Sequence, residues 1–148
     1  MIMTLETVPR YNDDRTSKVG DSAVVVGASM AGLLTARVLA DGFTSVTIIE
    51  KDPLPDKPVA RTGVPQGRHA HLLLEAGRST LEDLFPGYGE DLISAGGIVV
   101  DASTDLYHYT EGGFLADGPT RIPLYTATRP LFEQIVRRRV IGHDEIDM

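Results

Sequence analysis

The chain of 148 residues has no cysteine, no apolar run approaching 18 residues and no excess of positive charge. Without cysteine there are no disulfides, thiolate metal sites or redox thiols. The missing apolar run excludes a membrane-spanning helix of ordinary length. Fourteen Lys and Arg against 21 Asp and Glu give a formal charge of −7, which argues against nucleic acid or an anionic membrane surface as the main partner. Arg137-Arg138-Arg139 is the only basic run, and it reads as a solvated helix end. The N-terminus lacks the basic-then-apolar order of a secretory signal, so the cytoplasm is the expected location. No metal site is expected: His69 and His71 alternate and could face one ion, but a pair without a third ligand nearby more often marks a surface loop or a core edge. With 42% apolar and 24% charged residues, the chain has the composition of one globular domain. Residues 1–21 show little periodicity and read as a flexible lead-in, which leaves 22–148 as the domain.

What is present is organised around Ala23 to Glu50. Ala23-Val24-Val25-Val26 is short, β-branched and apolar on both faces, as in a central strand of a parallel sheet. Gly27-Ala28-Ser29-Met30-Ala31-Gly32 then opens a helix over Met30 to Asp41, with Leu33, Leu34, Val38 and Leu39 at helical spacing and Gly42 in the C′ position. A second β-branched run, Val46-Thr47-Ile48-Ile49, ends in Glu50. Strand, glycine turn, helix, strand and acid form the pattern of a dinucleotide site. Gly27 allows a tight turn, Gly32 lets the helix lie against the strand, and the helix N–H groups then converge on a pyrophosphate. Glu50 lies 23 residues after Gly27, near the distance at which a carboxylate reaches a ribose. It would repel a 2′-phosphate, which favours FAD or NAD over NADP. Ser29 stands where the middle glycine of the fingerprint is expected; its Cβ narrows the approach to phosphate, and its hydroxyl could donate in compensation.

Lys51 to His71 holds prolines at 53, 55, 58 and 65, which disfavours a crossover helix directly after the second strand. The chain continues instead with an extended loop, Arg61-Thr62-Gly63-Val64-Pro65-Gln66-Gly67-Arg68-His69-Ala70-His71. Arg61 and Arg68 alone could be solvated loop charges.

The glycine turn, Glu50-Lys51-Asp52 and the loop pattern R-x-G-V-P-Q-x-R-H-x-H-L together resemble the N-terminal part of FAD-dependent monooxygenases related to p-hydroxybenzoate hydroxylase, within them most nearly the bacterial squalene-epoxidase-like and polyether epoxidases. The resemblance runs from about Ser22 to Val140. It implies FAD as cofactor, held at Gly27 to Gly32, with Glu50 on the adenosine ribose, Lys51 and Arg61 along the adenosine and pyrophosphate, and Arg129 as a further contact. Lys51 departs from the arginine usual after the acid. The resemblance also implies epoxidation or hydroxylation of a small organic substrate using O2 and reduced flavin, with NAD(P)H as reductant. It leaves Arg68 open and places Gln66 near the flavin. No residue announces itself as a catalytic acid, base or nucleophile. Two alternatives stand beside this reading: an NAD-linked oxidoreductase, disfavoured by the proline-rich loop, and a non-catalytic nucleotide-binding fragment or subunit.

Downstream, Leu73, Leu74, Gly77, Leu81, Leu84 and Phe85 fit one helix face over 72–85, stopped by Pro86-Gly87, and a short helix follows over Glu90 to Ala95. Ile98 to Val100, Leu106 to Tyr109, Phe114 to Ala116 and Arg121 to Tyr125 read as strands of a small antiparallel patch, in which Tyr107, Tyr109, Phe114 and Tyr125 would form an aromatic wall. Thr128-Arg129-Pro130 starts a last helix carrying Leu131, Phe132, Ile135, Val136 and Val140, and Gly142 ends it. The expected fold is therefore α/β: a Rossmann-like βαβ unit with an added antiparallel patch. It is expected to be an incomplete FAD-binding domain lacking a third parallel strand, open to self-association or to a complementary chain.

Overall fold

A computed structural model describes residues 10–12, 16–118 and 121–148. Its architecture is mixed α/β. Strand β1 (Gly20–Val26) leads through the glycine turn into α1 (Met30–Gly42), which passes directly into β2 (Phe43–Ile49), parallel to β1. The pairs Val25↔Ile48 and Ala23↔Val46 face the helices, whereas Val24↔Thr47 and Val26↔Ile49 face the other way. The strand expected to be covered on both faces is covered on one: Val24 is 62% and Val26 83% exposed, because the helices that pack on this sheet share one core cluster on the opposite face.

Within α1 the buried positions are Leu33, Ala36, Arg37, Ala40 and Gly42, while Val38 is exposed. The small residues Ala36 and Ala40 let the helix sit close to the sheet. Gly42 does not serve as a left-handed C′ residue. It is the last helical residue, and Phe43 turns straight into extended backbone, so no reversal needing positive φ occurs.

After β2 the proline-rich segment runs without helix or strand until a 3-10 turn, Pro65–Arg68. The loop expected to continue through His71 instead enters strand β3 (Ala70–Leu73), and helix α2 (Glu75–Leu84) starts later than the apolar spacing suggests. Leu72 and Leu73 are drawn into extended backbone by pairing with Thr126 and Tyr125. Helix α3 (Tyr88–Ser94) follows, then β4 (Ile98–Asp101), the two-residue strands β5 (Tyr109–Thr110) and β6 (Gly113–Phe114), and β7 (Pro123–Thr128). Strands β3, β7 and β4 form an antiparallel sheet with β7 central, and β5–β6 is a separate hairpin. The expected aromatic wall is thus divided. Tyr107 and Tyr109 meet Phe114 edge-to-face on the exposed hairpin, whereas Tyr125 lies in the other sheet under the Arg78 guanidinium. Of the expected turn Asp117-Gly118-Pro119, Pro119 lies outside the described residues.

Helix α4 (Arg129–Ile141) begins as expected: Thr128 Oγ1 accepts from the Leu131 N–H at 3.3 Å and Pro130 occupies the first turn. Besides the anticipated apolar stripe it buries Glu133, Gln134 and Arg137, so it is enclosed almost all round. Tyr88 and Leu92 of α3 pack into the same core with no exposed surface. Past the turn at Gly142, strand β8 (Ile146–Asp147) pairs parallel to β2 through Val46↔Ile146 and Thr47↔Asp147. This corrects the expectation that a third parallel strand is missing. The strand order β1-β2-β8 extends the sheet outward from β2, as in one half of a doubly wound sheet.

Of the segment read as a lead-in, residues 1–9 and 13–15 lie outside the described residues. Arg10 pairs with Asp83, the Tyr11 hydroxyl donates to Asp41, and Lys18 donates to the carbonyls of Ala40 and Phe43. Among the described residues no helix is long and apolar enough to cross a membrane.

Candidate functional site

The site lies at the carboxyl edge of the parallel sheet, where Gly27 and Glu50 end adjacent strands. Gly27 takes φ +99°, a conformation that glycine reaches at little cost, and its N–H donates to the Ile49 carbonyl at 2.8 Å, tying the two strand ends together. Gly32 sits so close to this turn that a Cβ there would lie 1.8 Å from the Gly27 carbonyl oxygen. Ser29 is the N-cap of α1 in extended backbone, and its hydroxyl makes no capping bond. The N–H groups of Met30, Ala31 and Gly32 have no acceptor among the described residues, and the first turn carries no acidic residue. A 13-residue helix therefore points its positive end and a free hydroxyl at one place.

Glu50 is fixed beside that turn. Its Oε2 accepts from the Ala28 N–H at 2.8 Å and its Oε1 from the Asp52 N–H at 3.0 Å. The N–H donors of Asp52 and then Ala28 hold the carboxyl below the ordinary carboxylate value, with Arg61 adding a smaller effect of the same sign. The side chain is 12% exposed, so part of the carboxylate faces outward. It opens on a recess of about 590 Å³ lined by Ile49, Leu54, Ile146 and Asp147.

Arg61 is brought in from the loop. Its Nε and Nη2 donate to Glu133 Oε1 at 3.0 and 2.6 Å, Nη2 also donates to the Ala28 carbonyl at 3.1 Å, and Nη1 lies 3.5 Å from Glu50 Oε2. Glu133 is buried and stands between Arg129, at 4.0 Å, and Arg137, at 3.8 Å, one turn away on either side of it in α4. Three guanidinium groups thus surround two carboxylates, an excess of one positive charge beside the glycine turn. The buried Arg129 Nε has no hydrogen-bond partner among the described residues. Arg129 and Met30 also line one apolar groove of about 420 Å³ with Leu34, Leu73, Leu81 and Phe132, which places the cation beside the start of α1.

The structure therefore brings Gly27, Ser29, Met30, Ala31, Gly32, Glu50, Arg61 and Arg129 to one end of the sheet. Ala28 is there in a different capacity: it is fully buried, its N–H is taken by Glu50 and its carbonyl by Arg61, so it links those two side chains. Lys51 is exposed. Gln66, Arg68 and His69 are exposed on the 3-10 turn and its exit, and the His71 ring meets the His69 carbonyl at 2.9 Å. Arg137, read as part of a solvated basic run, is buried between Glu133 and the Pro55 carbonyl, and Arg139 pairs with Asp91, leaving only Arg138 exposed. The apolar stripe of α4 gave no indication of Glu133. The available signal was the spacing Arg129, Glu133, Arg137, in which each neighbour is four residues apart on one helix face.

No protein-family model matches the chain. Protein Rv3254 of Mycobacterium tuberculosis is 41% identical over 133 residues, which cover 85% of this chain and 28% of the relative. The chain thus spans little more than a quarter of the length of the curated relative it matches.

Proposed function

We propose that this chain forms the ADP-binding portion of an FAD site in a flavin-dependent monooxygenase of the p-hydroxybenzoate hydroxylase type, epoxidase-like within that group. The observation that carries the reading is the conjunction at the sheet edge: a glycine turn with no room for a Cβ at Gly32, an unpartnered helix start, and the Glu50 carboxylate pinned beside it by the Ala28 N–H. A diphosphate fits the helix start, where Ser29 and the first-turn N–H groups donate. The ribose diol fits Glu50, whose oxygens retain lone pairs beyond the two used by backbone donors. Arg61, bonded to the Ala28 carbonyl, and Arg129, which shares a groove with Met30, offset the diphosphate charge beside the same turn. The bound flavin would supply the oxygen-transfer chemistry for epoxidation or hydroxylation of a small organic substrate, with O2 and NAD(P)H as co-reactants. The chain's own residues bind and orient the cofactor, and none is assigned to proton transfer. An NAD-linked oxidoreductase is the weaker reading, since no helix crosses over directly after β2.

Titration with ADP and with FAD, followed by calorimetry and flavin fluorescence, tests the reading. Both ligands should compete for one site, and Glu50→Ala should weaken ADP by about 1 to 3 kcal/mol, the scale of losing charge-assisted hydrogen bonds. Unchanged affinity in that variant would remove Glu50 from the site.

A further inference from the structure

Two carboxylates, the buried Glu133 and the partly exposed Glu50, compete for one guanidinium in this chain. Arg61 commits Nε and Nη2 to Glu133 at 3.0 and 2.6 Å, and only Nη1 turns toward Glu50, at 3.5 Å. The first two lie at the margins of the charge-assisted range of about 2.7 to 2.9 Å, and the third lies well outside it. Glu133 can hold Arg61 in this way because it is itself fixed: it sits in the middle of α4, 4% exposed, with Arg129 and Arg137 one turn to either side. The Ala28 carbonyl takes the remaining Nη2 direction at 3.1 Å, so the fork is oriented by two acceptors that are not Glu50. Arginine stays charged at any ordinary pH, so losing the Glu133 anion would send the guanidinium to the other carboxylate within reach. That carboxylate is Glu50.

We propose that Glu133 is a positioning residue that holds the Arg61 guanidinium off Glu50 and so keeps the Glu50 carboxylate open to a vicinal diol. The proposal rests on the reading of Glu50 as the ribose acceptor. It adds that diol recognition at the sheet edge is set from α4, through a residue that touches no ligand. Arg137 cannot take over the Arg61 position, since its own fork is engaged by the Pro55 carbonyl and by Glu133.

Comparing ADP with 2′,3′-dideoxy-ADP isolates the diol. In calorimetric titrations the unaltered chain should prefer ADP by about tenfold or more, the scale of one or more hydrogen bonds to a charged group. Glu50→Ala should abolish the preference. Glu133→Gln should also bring it near unity without weakening the dideoxy analogue by more than about threefold, since the helix-start donors remain and a negative charge beside the diphosphate is lost; a merely structural role would weaken both ligands alike. Glu133→Gln with the diol preference intact would overturn the proposal and leave the reading of Glu50 standing. An unaltered chain that binds neither nucleotide, or does not distinguish them, would overturn both. Should Glu133→Gln alone not fold, the double variant Glu133→Gln/Arg61→Met removes both buried charges and decides the matter. With the Arg61 guanidinium gone its diol preference should match the unaltered chain, and a collapsed preference would refute the proposal.

Discussion

Gly32→Ala is the sharpest perturbation of the strand–turn–helix unit, because the obstacle it meets is backbone. The new Cβ would lie 1.8 Å from the Gly27 carbonyl oxygen and 2.9 Å from its carbon, where real Cβ contacts do not fall under 3.0 Å. The turn and the helix must therefore separate by about 1.2 Å, the difference between 3.0 and 1.8 Å. Neither side is free to give. Gly27 is tied to Ile49 by a 2.8 Å hydrogen bond, and α1 is held by the fully buried Leu33 and Ala36. Overpacking of well-packed cores costs about 1 to 3 kcal/mol, and an obstacle that cannot rotate away puts this case at about 3 kcal/mol. At about 2 to 4 °C per kcal/mol for a chain of this size, the melting temperature should fall by about 6 to 12 °C. Gly27→Ala should cost less, about 1 to 2 kcal/mol, because φ +99° is strained for alanine but nothing lies within 4 Å of the added carbon. Gly113→Ala, with open space and no positive φ, is the control. Calorimetric melting of the three variants, with ADP titration of each that folds, reads the result. A Gly32→Ala protein that melts within about 2 °C of the unaltered chain and binds ADP equally would refute the close helix–turn contact and the reasoning built on it.

Acid should weaken the fold in part through Glu50. Its folded value is depressed from the ordinary 4.5, so its contribution is full above that value and is lost as pH falls through the lower folded value. Glu50→Gln should accordingly flatten the acid limb of a urea-midpoint-versus-pH curve, and an unchanged limb would show that the Asp52 and Ala28 N–H bonds are not stabilising. The bare face of the parallel sheet, with Val24, Val26 and Ile49 exposed side by side, should drive self-association. Val26→Lys should shift light-scattering mass toward the monomer, and identical masses at matched concentration would assign any association to another surface.

The parts of the fold legible in the sequence were those in which local chemistry and burial agree. The turn at Gly27 and the start of α4 at Thr128-Arg129-Pro130 each need a particular residue type, and those residues stand where the elements begin. Local pattern and structure part where pairing across the chain overrides local preference. Leu72 and Leu73 suit a helix, yet β7 claims them as strand partners. Ile146 gives no strand signal in two residues, and only the waiting edge of β2 makes it one. Val24 and Val26 are apolar as though buried, but a β-branched run states only what a strand could bury, and no described element covers that face.

The candidate site is legible on its β side from residue spacing, whereas on its α side the resemblance points to Arg129 alone and nothing points to Glu133 or Arg137, and one physical cause accounts for both. Gly27, Gly32 and Glu50 are constrained by backbone geometry within 24 residues, so their spacing carries the information. Arg129, Glu133 and Arg137 are spaced four apart in a helix, which is also how a solvated ladder of charges is written. What buries them is the segment after Glu50. Its prolines prevent regular structure, so its carbonyls receive no helix or sheet partners and must find side-chain donors. Gln134 donates to the Asp56 carbonyl and Arg137 to that of Pro55, drawing the loop over α4. Farther along the same segment, Arg61 closes on Glu133. The prolines that argue against a crossover helix therefore also create the demand for donors that turns a charged helix face into an interior one. A burial of this kind can be inferred only by asking where an irregular segment's backbone groups are satisfied, and here the answer leads to α4 and to Glu133, the acceptor of Arg61.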